Sequence, residues 1–115
     1  MIQVDDNNPT PPFEQIRSQL SAQIKTGVLA GGERLPSVRQ LSQDLQVAPG
    51  TVARAYSMLE VEGVLETRRG AGTRVSPGQT VHPALTELAG EFATAARAKG
   101  LTREEAVLVL TAAWL

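Results

Sequence analysis

The 115-residue chain has no cysteine, one histidine and four aromatic residues, and no apolar run approaches the roughly 20 residues needed to cross a bilayer. Without cysteine there is no disulfide framework, no thiolate zinc ligand and no thiol nucleophile, which fits a reducing cytoplasm. A lone His82 argues against a catalytic triad, a His-rich metal site or a His acid–base pair, and it takes no role in this reading. Phe13, Tyr56, Phe92 and Trp114 are too few to stack the bases of a single strand. The opening MIQVDDNNPTPPF is acidic and polar, so no secretory leader is expected. The expectation is a cytoplasmic chain that is not an enzyme, with no cofactor, no metal and no membrane partner.

The net charge of −1 looks uninformative until it is divided. Residues 34–74 hold six arginines (34, 39, 54, 68, 69 and 74) against four carboxylates, and no lysine; both flanking segments are net acidic. A planar guanidinium suits phosphate and guanine edges better than the point charge of lysine. A solvated surface also accounts for a surplus this small.

Helix signals are plain. Thr10 as cap, Pro11 and Pro12 in the first turn and a stop at Gly27 enclose Phe13, Ile16, Leu20 and Ile24, one apolar stripe. After a glycine-rich loop, Leu35-Pro36-Ser37 reads as a short extended piece ending in an N-cap serine, then a brief helix with Val38, Leu41 and Leu45 inward. Pro49 restarts a helix with Val52, Ala55, Tyr56 and Leu59 buried and Gly63 at its end. Two short helices across a tight turn have the spacing of a helix-turn-helix. Residues 64–69 and 73–76 around Gly70-Ala71-Gly72 read as a hairpin. This order is a winged helix-turn-helix: mostly α with a small β-hairpin.

Residues 76–79 (Ser-Pro-Gly-Gln) read as a linker. Beyond it a helix opens at Pro83 with Leu85, Leu88, Ala89, Phe92 and Ala96 at helical spacing, closed by Gly100; Thr102 and Glu105 form a capping box for a last helix through Val107, Leu110 and Trp114. The expected division is a DNA-binding domain over residues 1–77 and a helical dimerisation segment over 78–115. Leu85, Leu88, Phe92, Val107, Leu110 and Trp114 are too many apolar groups for two helices to bury between themselves. Pairing across a two-fold axis would cover them; folding back onto the first helix is the competing solution.

With Val52, Ala55 and Leu59 inward, Gly50, Thr51, Arg54 and Ser57 project outward from the start of the second helix of the pair, where a recognition helix meets base edges. Thr51 suits a phosphate or a thymine methyl, and Arg54 a guanine or a phosphate. The alternative is that Thr51 only helps start the helix and Arg54 is solvated. Arg68, Arg69 and Arg74 flank the glycine loop, placed either for the DNA backbone and minor groove or as charge protecting an edge strand. Arg39, in the first turn after Ser37, reaches either a phosphate or Asp44.

Over residues 9–75 the chain resembles the winged-helix domain of GntR-type bacterial transcription regulators. The resemblance lies in Pro12-Phe13-Glu14-Gln15-Ile16, in residues 32–41 (GERLPSVRQL), in residues 51–59 (TVARAYSML), in Glu62-Gly63-Val64 and in Arg69-Gly70-Ala71-Gly72-Thr73, in that order. The short two-helix tail is similar to the YtrA subfamily. The resemblance implies DNA contacts from Arg39, from the recognition-helix start (Ala48, Pro49, Gly50 and Thr51, with Arg54) and from the wing tip at Arg69 and Gly70, with Arg68 beside them. One departure stands out: Ala48 and Gly50 replace the polar residues common in that turn, which shifts readout onto Thr51, Arg54 and the wing. The expected function is a sequence-specific DNA-binding regulator, a repressor acting as a homodimer on an inverted-repeat operator. A recognition helix over about 49–62 would lie in the major groove, with the wing over 68–74. A small-molecule effector of unidentified chemistry is left open: two short helices offer little room for an enclosed pocket, and the space between subunits is another place for one. The alternative is a winged-helix adaptor whose arginines meet an acidic protein surface.

Overall fold

The computed structural model describes residues 2–79 and 83–114 and divides the chain into two compact units, 1–80 and 81–115. The first unit runs α1 (Pro12–Lys25), α2 (Val38–Leu45), α3 (Pro49–Val61), β1 (Leu65–Arg68) and β2 (Gly72–Val75); the second holds α4 (Pro83–Ala98) and α5 (Arg103–Ala113). His82 lies outside the described residues.

The apolar spacing of α1 places Ile16, Leu20 and Ile24 in the core, opposite Val52, Ala55, Tyr56 and Leu59 of α3. Leu41 of α2, Leu35 and the hairpin residues Leu65 and Val75 close it. Ser37 begins α2 as expected: its hydroxyl accepts from the Gln40 N–H at 3.0 Å. Gln46, after α2, takes the left-handed conformation (φ 55°), and the Val47 N–H returns to the Ser42 carbonyl. The turn into α3 thus needs only Gln46, Val47 and Ala48.

The start of α1 differs from expectation. Thr10 does not cap it; Pro11 is the cap residue, and its ring has no oxygen to accept a capping bond. The Thr10 carbonyl instead accepts from Gln15 Nε2 at 2.8 Å. Gln15 is buried, and its carboxamide also exchanges two bonds with Asp5, donating to the carbonyl (3.0 Å) and accepting from the N–H (2.8 Å). Gln19, one turn on, does the same with Gln3, at 2.6 and 2.9 Å. Four residues of helix rise about 6 Å and two of extended chain about 6.6 Å, so the two clasps match in pitch. Val4 between them and Ile2 before Gln3 pack against the core. Residues 2–5 therefore form a strap along α1.

The hairpin pairs Leu65 with Val75, Glu66 with Arg74, Thr67 with Thr73 and Arg68 with Gly72. A third segment joins it: Arg34 bridges Arg74, with Leu35 N–H bonded to Thr73 O and Val75 N–H to Glu33 O, both at 2.9 Å. In the second unit the capping box is complete, Thr102 and Glu105 exchanging bonds of 2.8 and 3.1 Å.

Candidate nucleic-acid interface

Burial of Val52, Ala55, Tyr56 and Leu59 turns Gly50, Arg54 and Ser57 outward, and all three are exposed; Thr51 is half-buried. The first turn of α3 has no side-chain cap, because Ala48 has none to give. The Thr51 N–H bonds the Ala48 carbonyl at 3.0 Å. Pro49 has no N–H to satisfy, which suits the first helical position. A Cβ on Gly50 would meet nothing within 4 Å, so this edge of α3 is open to a close-approaching surface. A helix N-terminus carries partial positive charge and favours phosphate.

Arg54 is exposed but not loose. Its guanidinium carbon lies 3.7 Å from the centroid of Phe13, the half-buried first aromatic of α1. Phe13 is thus not a wholly inward member of the α1 stripe: its ring is roofed by a cation. Arg39 is exposed in the first turn of α2. Its alternative partner Asp44 accepts instead from Gln40 Nε2 at 2.8 Å, and Arg39 has no ion pair among the described residues.

The wing is tied to α3. Thr67 Oγ1 donates to Glu60 Oε1 at 2.6 Å, and the Val64 N–H bonds the Leu59 carbonyl. Arg68, Arg69 and Gly70 are exposed at its end. Gly70 has φ 80°, a conformation that costs any side-chain-bearing residue about 1 kcal/mol or more. Arg68 lies 3.5 Å from the Glu66 carboxylate. Behind these elements Tyr56, buried in the core, donates to the Pro36 carbonyl at 2.7 Å. That bond joins α3 to the segment that launches α2, and burial pushes the phenol up to about 12. On α1, Arg17 donates to Glu14 and holds its carboxyl below the usual range.

In the tail Leu85 and Leu88 are exposed, as are Val107, Leu110 and Trp114, while Phe92 is half-buried. Leu108 and Val109, which the spacing argument passes over, are also exposed. Four consecutive apolar residues cover the whole circumference of a helix, so α5 has no polar face in its middle. Among the described residues no helix is long and apolar enough to cross a membrane.

Three more features lie beyond the sequence argument: the Gln15 and Gln19 clasps, the Arg54–Phe13 stack and the Tyr56–Pro36 bond. Two glutamines four residues apart, facing an alternating Ile2-Gln3-Val4-Asp5 stretch, were the available signal for the first.

Comparison with known proteins agrees with this geometry. Residues 12–75 match the family of bacterial regulatory proteins described as gntR. The chain is 41% identical over 110 residues to the HTH-type transcriptional regulator Rv1152 of Mycobacterium tuberculosis, covering 96% of this chain and 91% of that protein. It is 45% identical over 76 residues to the HTH-type transcriptional repressor YtrA of Bacillus subtilis, covering 66% of this chain and 58% of that one. The AraR DNA-binding domain solved in complex with operator ORX1 superposes with a TM-score of 0.59 at 25% identity, over 65% of this chain and 96% of that domain. A winged helix-turn-helix with an exposed recognition edge, matched over its full extent by this family, identifies the chain as a DNA-binding transcription regulator that belongs to the GntR family.

Proposed function

We propose that the protein is a cytoplasmic homodimeric repressor that binds an inverted-repeat operator and works by binding rather than by catalysis. The observation that carries this reading is the outward row of Gly50, Arg54 and Ser57 on α3, with half-buried Thr51 beside it, backed by four buried residues on the same helix. In this reading α3 enters the major groove, Arg39 clamps a phosphate, and Arg68, Arg69 and Gly70 follow the backbone or the minor groove. Residues 1–77 do the reading and residues 78–115 the pairing. The apolar circumference of α5 supports that division, since a second copy would cover Leu85, Leu88, Phe92, Val107, Leu110 and Trp114. Two copies related by a two-fold axis present two recognition helices to half-sites about 34–36 Å apart, or a multiple of that. Repression accords with the name of the B. subtilis relative.

The test is selection of bound duplexes from a random pool, joined to sedimentation equilibrium of the same preparation. The expected result is a palindromic consensus and a mass twice the 12.2 kDa of one chain. A non-palindromic consensus from a 12.2 kDa particle would remove the dimer; no enrichment would remove operator recognition.

A further inference from the structure

The solvent face of the wing carries one arginine that the recognition motifs do not account for. Residues directly opposed in a ladder send their side chains to the same face. Arg34 opposes Arg74, and Glu66 opposes Arg74 from the other side, so the three form one row across the hairpin and the bridging segment. Leu35, Leu65 and Val75, their chain neighbours, are buried on the opposite face. The next row toward the tip pairs Arg68 with Gly72, and there the middle strand has no side chain. The Arg34 guanidinium occupies that vacancy: a Cβ on Gly72 would stand 3.1 Å from Arg34 Nε and 3.3 Å from its Nη2. Glycine at 72 is favoured by its φ of 72°, and its missing side chain leaves room for this guanidinium.

The charges around it are otherwise engaged. Glu66 lies 3.5 Å from Arg68, Arg74 donates to the Gly32 carbonyl at 3.2 Å, and Glu33 accepts from the Ala30 N–H at 3.2 Å. Arg34 itself is exposed and has no ion pair among the described residues. The result is an uncommitted guanidinium beside Gly72, carried one row toward the wing tip from its own place in the ladder.

We propose that Arg34, seated on Gly72, is a DNA phosphate contact on the flank of the wing, distinct from the contacts at Arg39, α3 and the wing tip. This rests on the DNA-binding reading above. A phosphate contact adds affinity without sequence preference and steepens the salt dependence of binding by about 0.9 in log K against log salt.

The test uses the full chain, the duplex selected from the random pool and an unrelated duplex of equal length. With Arg34→Gln, affinity is expected to fall severalfold and by a common factor on both duplexes. The salt slope should become shallower by about 0.9, and the thermal midpoint should not change. Arg34→Lys keeps the charge and should keep the slope. An unchanged affinity and slope in Arg34→Gln, with wild-type binding intact, would overturn the assignment alone. So would a loss confined to the selected duplex at unchanged slope, which would make Arg34 a support for sequence readout. If Arg34→Gln does not fold, Arg34→Ala carries the same test: a slope shallower by about 0.9 supports the contact, and an unchanged affinity and slope overturn it. Failure of the wild-type chain to bind either duplex would overturn the DNA reading and this assignment with it.

Discussion

The guanidinium carbon of Arg54 stands 3.7 Å from the centre of the Phe13 ring, joining the solvent side of α3 to the first turn of α1. An exposed arginine ordinarily samples many rotamers, and immobilising one on binding costs about 0.5–1.5 kcal/mol. Held over an aromatic face it is restrained beforehand, and a contact through the guanidinium face leaves the edge N–H groups, which fork onto guanine or phosphate, free of that contact.

Arg54→Ala is expected to weaken operator binding by about 1–3 kcal/mol, and Phe13→Leu by about 0.5–1 kcal/mol, because the arginine loses its platform. Fluorescence anisotropy on the two single variants and the double variant checks the coupling. Phe13→Leu should have almost no further effect once Arg54 is gone; fully additive losses would separate the two residues.

Ala48→Ser should stabilise the protein by about 0.5–2 kcal/mol. Ala48 already has the extended backbone of an N-cap (φ −63°, ψ 142°), and only the accepting oxygen is missing. A higher urea midpoint at unchanged m-value is the expected signature; no change would mean that the first turn is satisfied in another way.

Tyr56 sets an alkaline limit. Its phenol is raised to about 12 by burial, above an ordinary value near 10, so the folded state favours the neutral form. That contribution is complete below pH 10 and is lost as pH rises from about 10 to 12, where the unfolded chain gives up the proton first. Stability measured by denaturant midpoints should therefore decline over that window, with a limit on the order of 2 kcal/mol from this group. Tyr56→Phe should flatten the decline while losing the bond to Pro36, worth about 1 kcal/mol at neutral pH. An identical alkaline decline in the variant would assign it to other groups.

Removing the buried clasp should loosen the strap. Gln15→Ala breaks three hydrogen bonds, to Asp5 and Thr10, and is expected to cost about 2 kcal/mol; Gln19→Ala, at a more exposed site, should cost less. Limited proteolysis between residues 2 and 10 should accelerate in the same order. Equal cleavage in wild type and Gln15→Ala would mean that the apolar contacts of Ile2 and Val4 hold the strap unaided.

Features with a local rule were legible in the residues. Periodicity placed Ile16, Leu20 and Ile24 inward, and capping chemistry marked Ser37 and the Thr102–Glu105 box. Pro49 announced the start of α3, because each of these depends on near neighbours in the chain. Thr10 shows the limit: it has the chemistry of a cap, but the helix begins one residue later and Gln15 takes its carbonyl. Links between distant segments, such as Tyr56 to Pro36, leave no period to read. The Arg34 seat depends on a third segment bridging the hairpin, a register that no two-strand pattern contains. For the tail, spacing selects Val107, Leu110 and Trp114, yet the exposure of Leu108 and Val109 follows from their surroundings rather than from any interval.

The strap has a consequence for how substitutions are tolerated. Gln15 and Gln19 grip main-chain atoms of residues 5 and 3, so the identities of those two side chains matter little to the grip. Proline is the exception, since it has no N–H to offer. Ile2 and Val4 face the core and must stay apolar. Tolerance along residues 2–5 therefore alternates with a period of two: restricted by volume at 2 and 4, and at 3 and 5 by the backbone, with the Asp5 carboxylate adding a turn bond from the Asn7 N–H.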